Sequence, residues 1–153
     1  MARAYYSVVL DHPADAVWAY IRSFGAYAWS GVSGETTIED GKSGDQVGAV
    51  RRVATSSGEI RQRLLAFSDV NRSYTYEFVG PASIPVNDYQ ATIHVIPVLE
   101  DDRAFVEWWA TFDCAAEDVR RWRHHLEHEG FAKWLSALRA QMAYGRSDSA
   151  PAK

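Results

Sequence analysis

NDYQATIHVIPVLEDDRAFVEWWATFD, residues 87–113, alternates apolar and polar side chains through two runs separated by Asp101-Asp102. Tyr89, Ala91, Ile93 and Val95 fall on one side of the first run, with Gln90, Thr92 and His94 on the other. Val106, Trp108, Ala110 and Phe112 repeat the pattern against Glu107, Trp109 and Thr111. A period of two is the mark of a half-buried strand, so the stretch reads as a long antiparallel hairpin. A two-residue turn at Asp101-Asp102 would set Val95 opposite Trp108 and Ile93 opposite Ala110, with both apolar sets on one face. That face must be covered by the rest of the chain.

Working back toward the N-terminus, SYTYEF and the runs around Val47–Ala54 and Glu59–Ala66 alternate in the same way. Ser56-Ser57 and Asp69–Asn71 are their turns. Arg51 then lies opposite Gln62, Val53 opposite Ile60, Leu64 opposite Tyr76 and Ala66 opposite Tyr74. The Pro81–Val86 loop is too long to fix register, and there amphipathicity decides. One inner face collects Arg51, Val53, Ile60, Gln62, Leu64, Tyr74, Tyr76, Phe78 and the apolar set of residues 87–113. The outer face collects Arg52, Arg61, Arg63, Thr75, Glu77, Gln90, Thr92, His94, Glu107 and Thr111. A first strand spans Tyr5–Leu10 and a short one Thr36–Glu39. Between them, Ala14–Arg22 carries Val17, Trp18 and Ile21 at helical spacing, with Pro13 at its start and Asp11 expected as its N-cap. A second helical piece is expected over Phe24–Trp29, broken by Gly31, Ser33 and Gly34.

After Cys114 the period changes. Val119, Trp122 and Leu126, then Phe131, Trp134, Leu135, Leu138 and Met142, mark a long helix over about Glu117–Tyr144, interrupted near Gly130. Gly145 is expected to end it, with RSDSAPAK as a disordered tail. The predicted architecture is α+β: one domain over residues 1–144, a curved seven-stranded antiparallel sheet wrapped around the final helix.

Composition narrows the function. A formal charge of −4 over 153 residues, with arginines scattered along strands and one helix, argues against a nucleic-acid surface. No apolar run approaches a membrane span and no signal-peptide pattern opens the chain, so the expected location is the cytoplasm. The lone Cys114 excludes an internal disulfide and a cysteine-rich metal cage. His124 and His128 lie one helical turn apart, but Arg120, Arg121 and Arg123 crowd them, so His124, His125 and His128 read as solvated helix surface and no metal is expected. His12, at the strand–helix joint, is a minor acid/base candidate. No nucleophile elbow or phosphate loop occurs. Trp109, on the polar face, offers packing to the termini or a second subunit, so a homodimer is one arrangement the surface allows.

The inner face is the informative one. Arg51 and Gln62 are polar there, beside the phenols of Tyr74, Tyr76 and Tyr89, and a buried guanidinium needs a carboxylate, water or a ligand. Such a face reads as a wet or liganded cavity. The rival arrangement leaves Arg51 at the sheet rim with its head in water.

Three stretches add a resemblance. VVLDHPADAVWAYIRSFGAYAWS, GKSGDQVGAVRRV with Gly-x-x-Arg at Gly48–Arg51, and SYTYEFVG…NDYQATIHVIPV…FVEWWATFD together resemble the START-like (SRPBCC) superfamily, in its bacterial polyketide cyclase/dehydrase-like branch. The resemblance implies a helix-grip fold and a hydrophobic cavity between sheet and final helix for lipids, hormones, polyketides or aromatic metabolites. It implies no single chemistry, since the scaffold serves carriers, receptors and enzymes. Only Gly41 and Gly44 stand where the pollen-allergen type has a fuller glycine loop, and the ATSSGE turn lacks the gate motif of plant hormone receptors.

Three functions follow: a cofactor-free cyclase or dehydratase, a carrier or sensor of a hydrophobic ligand, and an interaction module with a vestigial cavity. In the first, Arg51 stabilises an oxyanion and Tyr76 or Tyr89 donates or relays the proton. Gln62, Leu64, Tyr74, Phe78, Ile93, Trp108 and Ala110 are expected to line the cavity, with Trp29 at its mouth.

Overall fold

The computed structural model describes residues 1–32 and 34–148, with side chains as far as residue 143. Strands β1 (Ala2–Leu10), β2 (Thr36–Ile38), β3 (Val50–Thr55), β4 (Gly58–Ser68), β5 (Ser73–Phe78), β6 (Asn87–Val98) and β7 (Arg103–Asp113) form one antiparallel sheet. Their order is β1-β7-β6-β5-β4-β3-β2. Every residue assigned to the inner face is buried or half-buried, and Arg51 is fully buried at 0% exposure, which rules out the rim arrangement. Across the Ser56-Ser57 turn, Arg51 pairs with Gln62 and Val53 with Ile60, as the alternation requires.

Two registers differ from expectation. The β6–β7 connection is a four-residue turn, Leu99–Asp102, with Asp102 at φ 54°, so Val95 faces Val106 and Ile93 faces Trp108. The slip is two residues, and a slip of two leaves every side chain on its own face. In β4 a bulge follows Leu64, so Thr75 faces Ala66 and Tyr74 faces Phe67 rather than Ala66. Phe67 thereby turns toward the core, its ring 5.5 Å from that of Trp18. A second irregularity lies between Asn87 and Gln90, where Asp88 takes a φ of 52°. Past it, Tyr89 points inward and is buried.

Helix α1 (Ala14–Ile21) packs Val17, Trp18 and Ile21 against the sheet. Pro13 is its N-cap position, and Asp11 is not: Asp11 instead faces Arg103 at 3.6 Å. The second helical piece is only one 3-10 turn, Ala28–Ser30, closed by Gly31 at φ 80°; the expected breaker Ser33 lies outside the described residues.

The C-terminal helix has three parts: α2 (Val119–His124), a π-helical segment (His125–Phe131) and α3 (Ala132–Asp148). The inward residues explain it. Leu126 and Phe131 are five apart, while Phe131, Leu135, Leu138 and Met142 follow at spacings of four, three and four. A regular α-helix would swing Leu126 away from Phe131, and a wider π-turn returns both to the core. The interruption expected near Gly130 is this segment. Gly145 does not end the helix, which continues through the first three residues of the expected tail to Asp148; residues 149–153 lie outside the described residues. The helix also closes the free edge of β1: Arg123 donates to the Arg3 carbonyl at 3.0 Å, Tyr5 N–H donates to Glu127 at 2.8 Å, and Arg139 donates to the Val9 carbonyl at 3.0 Å. Among the described residues no helix is long and apolar enough to cross a membrane.

Candidate functional site

The middle of the sheet is filled. Trp108 stacks on Phe131 at 5.2 Å and meets Trp134 at 5.1 Å and Trp29 at 5.8 Å. Leu135 and Leu138 are fully buried in the same cluster, together with Ile93, Ala110 and Leu64. The space between sheet and helix opens toward β3, β4 and β5, as a cavity of about 110 Å³. Val53, Thr55, Ile60, Gln62, Phe78 and Tyr89 contribute from the strands, Ser83 and Ile84 from the β5–β6 loop, and Tyr27 and Val32 from the segment after α1. The π-helical segment is its roof, through His125, Leu126, Glu129 and Gly130, with Trp134 beside them.

Burial grades the lining. Tyr27, Val53, Gln62 and Tyr89 are buried and form the deep end; Ser83, His125 and Glu129 are exposed and form the mouth. Gly130 belongs to the roof for a steric reason: a Cβ there would come within 3.3 Å of the Trp134 ring.

Of the residues expected to line one cavity, Gln62, Phe78 and Tyr89 do so. Leu64, Ile93, Trp108 and Ala110 belong to the packed cluster. Trp29 is buried against Trp108 and Tyr27 rather than at this mouth. Trp134, one of the residues whose spacing marks the helix, is half-buried and lines the cavity.

Arg51, Tyr74 and Tyr76 lie directly behind the deep end. The Arg51 guanidinium sits 4.0 Å from the Phe24 ring centre, 3.8 Å from that of Tyr27 and 5.0 Å from that of Tyr76. Its Nε donates to Gln62 Oε1 at 2.7 Å and Nη1 reaches the Phe24 carbonyl at 3.5 Å. Nη2 and the Tyr74 hydroxyl are buried without a partner. Among the described residues no ion pair neutralises this charge; the cation is held by aromatic faces and an amide. Tyr76 accepts a hydrogen bond from Trp108 Nε1 at 3.2 Å.

The phenols around Arg51 are held neutral. Burial pushes Tyr27 up to about 12, with the Arg51 charge opposing. Burial likewise raises Tyr74, Tyr76 and Tyr89, and Arg51 opposes it in each case. The deep end therefore offers hydrogen-bond donors backed by a positive charge.

Sequence reasoning missed His125 and Glu129 as cavity residues. Both are exposed in a charged helical run, and Glu129 is paired with Lys133. The five-residue step from Leu126 to Phe131 is the signal that turns this segment over the sheet. His124 and His128 stay outside the cavity, with rings 4.4 Å apart on the exposed surface. On the outer face of the sheet, Trp109 packs against Arg3 of β1 at 5.7 Å.

Comparison with known proteins fits this geometry. The family described as polyketide cyclase / dehydrase and lipid transport matches residues 1–143. A solution structure from Thermobifida fusca is 30% identical, with a TM-score of 0.83 and 95% of each chain covered. A structure from Nitrosospira multiformis is 28% identical, with a TM-score of 0.76, covering 91% of this chain and 94% of the other. The di-domain ARO/CYC BexL of the BE-7585A biosynthetic pathway is 14% identical with a TM-score of 0.77, covering 94% of this chain and 47% of its own, and shares the fold. Among curated proteins no sequence match is found.

Proposed function

The chain belongs to the polyketide cyclase / dehydrase and lipid transport family, and from that premise we propose that it binds a small aromatic or otherwise hydrophobic metabolite in the cavity beneath the π-helical segment. The observation that carries this is Arg51: a fully buried cation with no counter-ion among the described residues, directly behind a wall of neutral donors. Its desolvation is costly, and an oxygen-bearing ligand at the deep end would offset part of that cost. In the enzyme reading the ligand is a polyketide-like or aromatic precursor undergoing cyclisation or dehydration. The donors at Gln62, Tyr27 and Tyr89, with the Arg51 charge behind them, stabilise a developing enolate oxygen. Tyr89, protonated and backed by Tyr76, is the candidate proton donor.

One feature favours a second reading, a carrier or sensor without turnover. The deep end has no carboxylate or imidazole; His125 and Glu129 stand only at the mouth. Native mass spectrometry of freshly purified protein tests the shared claim. A co-purified small molecule, lost when the cavity is filled by Gly130→Val, supports binding. A bare protein that also takes up no aromatic compound in titration overturns it. Turnover of a bound precursor would then separate the cyclase from the carrier.

A further inference from the structure

We propose that Gln62 is the group that reads the ligand, with Arg51 as its positioning residue, and that the cavity selects a single-ring aromatic molecule whose inner end is an acceptor oxygen. This rests on the binding role argued above. Gln62 and Arg51 face each other across β3 and β4, with Arg51 Nε 2.7 Å from Gln62 Oε1. A guanidinium can only donate, so the amide oxygen must be the end that meets it. The –NH2 end is then left for the cavity that Gln62 lines, and its nitrogen is not among the occluded polar atoms lacking a partner.

Two contacts keep that orientation. The rings of Phe24 and Tyr27 grip the guanidinium at 4.0 and 3.8 Å, so it cannot swing away from the amide. Flipping the amide would set two donors against each other in a buried site, and each unsatisfied group there is costly. Gln62 is therefore a fixed donor, beside the protonated hydroxyls of Tyr27 and Tyr89. An acceptor oxygen satisfies this end, an oxyanion more strongly than a neutral carbonyl because the Arg51 charge lies behind it; a hydrogen-bond donor or an alkene does not.

Size sets the rest. An apolar protein cavity of about 150 Å³ takes up benzene. The present one, about 110 Å³ and walled by Val53, Ile60, Phe78 and Trp134, is smaller, so it limits the ligand to one ring whose outer end lies toward the open mouth.

The test titrates the full-length protein with acetophenone and with 2-phenylpropene, near-isosteres that differ in C=O against C=CH2, followed by NMR of the glutamine side-chain amides. The wild type is expected to bind acetophenone up to about tenfold more tightly, the range of one net hydrogen bond. The Gln62 amide protons should shift with the ketone and not with the alkene. Gln62→Met should bind both alike, with alkene affinity within about twofold of wild type. Gln62→Glu, which keeps an oxygen toward Arg51 and puts another in place of the donor, should likewise lose the ketone preference. Arg51→Met should weaken the preference in the wild type and change nothing further in Gln62→Met, a non-additivity that a merely structural Arg51 would not produce. A ketone preference that survives Gln62→Met, or an unshifted Gln62 amide, overturns the assignment. Equal affinity for 2-acetylnaphthalene overturns the single-ring limit. If neither probe binds but a molecule co-purifies, this inference falls and the binding role stands; if neither occurs, both fall.

Discussion

Arg51 and Gln62 pair directly across β3 and β4, and the 2.7 Å hydrogen bond between them is made by a fully buried guanidinium that meets no carboxylate among the described residues. Aromatic faces surround the charge, yet among the described residues one of its nitrogens lacks a well-formed hydrogen bond. Stability alone does not explain such a residue. Buried charges can be replaced by apolar groups of similar volume with little loss or even a gain. Arg51→Met is therefore expected to unfold in denaturant within about 1 kcal/mol of the wild type or above it. A loss beyond about 3 kcal/mol would make Arg51 a structural keystone.

The helix anchors are separable. Leu138 is fully buried, so Leu138→Ala should cost about 2–5 kcal/mol in equilibrium unfolding. Trp134 is half-buried and stands at the cavity wall, so Trp134→Ala should cost less than the ~3–5 kcal/mol of a fully buried tryptophan and should admit larger aromatic probes. Equal costs with no change in probe size would place the wall elsewhere.

The inner face of the sheet is legible in the sequence because strand alternation survives a register error of two. Mispairing Val95 with Trp108 still kept both inward. The turn at Leu99–Asp102 was not legible: alternation does not say how many of LEDD leave the ladder. The bulge after Leu64 was hidden by Leu64-Leu65, two apolar neighbours that mask a change of face. The limits of the cavity depend on Trp108 stacking against Phe131, a contact between residues far apart in the chain, so expecting Trp108, Ile93 and Ala110 at its wall overlooked what the helix would fill. Arg51 and Gln62 stood out because two polar residues interrupted an otherwise apolar face.

Gly130 gives a steric test of the roof. A side chain there meets the Trp134 ring, so Gly130→Val should press that ring into the cavity while leaving the sheet intact. Binding of a one-ring probe should fall at least about tenfold, with an unchanged far-ultraviolet spectrum. Unaltered binding would mean the roof lies open.

The buried phenols predict an alkaline limit. Tyr27, raised to about 12 by burial, and Tyr74, Tyr76 and Tyr89, raised for the same reason, hold their protons longer in the folded chain than the ordinary value of 10.0 allows. The unfolded chain then binds fewer protons above pH 10, and stability falls as pH rises. Their contribution is fully present below pH 10 and is lost as pH climbs through the folded values. In a pH titration, the tyrosinate absorbance of these four residues should appear together with unfolding. Tyrosinate appearing near pH 10 in the folded protein for all eight tyrosines would contradict their burial.

The Arg51 charge behind the Gln62 wall is expected to set which ligands the cavity prefers. Benzoate and nitrobenzene are close in shape and differ in charge, and calorimetric titration of both into wild type and Arg51→Met tests it most directly. Tighter binding of benzoate by the wild type is expected, with that preference abolished in Arg51→Met because benzoate loses far more affinity than nitrobenzene. A benzoate preference that persists without Arg51, or a wild type that binds neither compound, would contradict it.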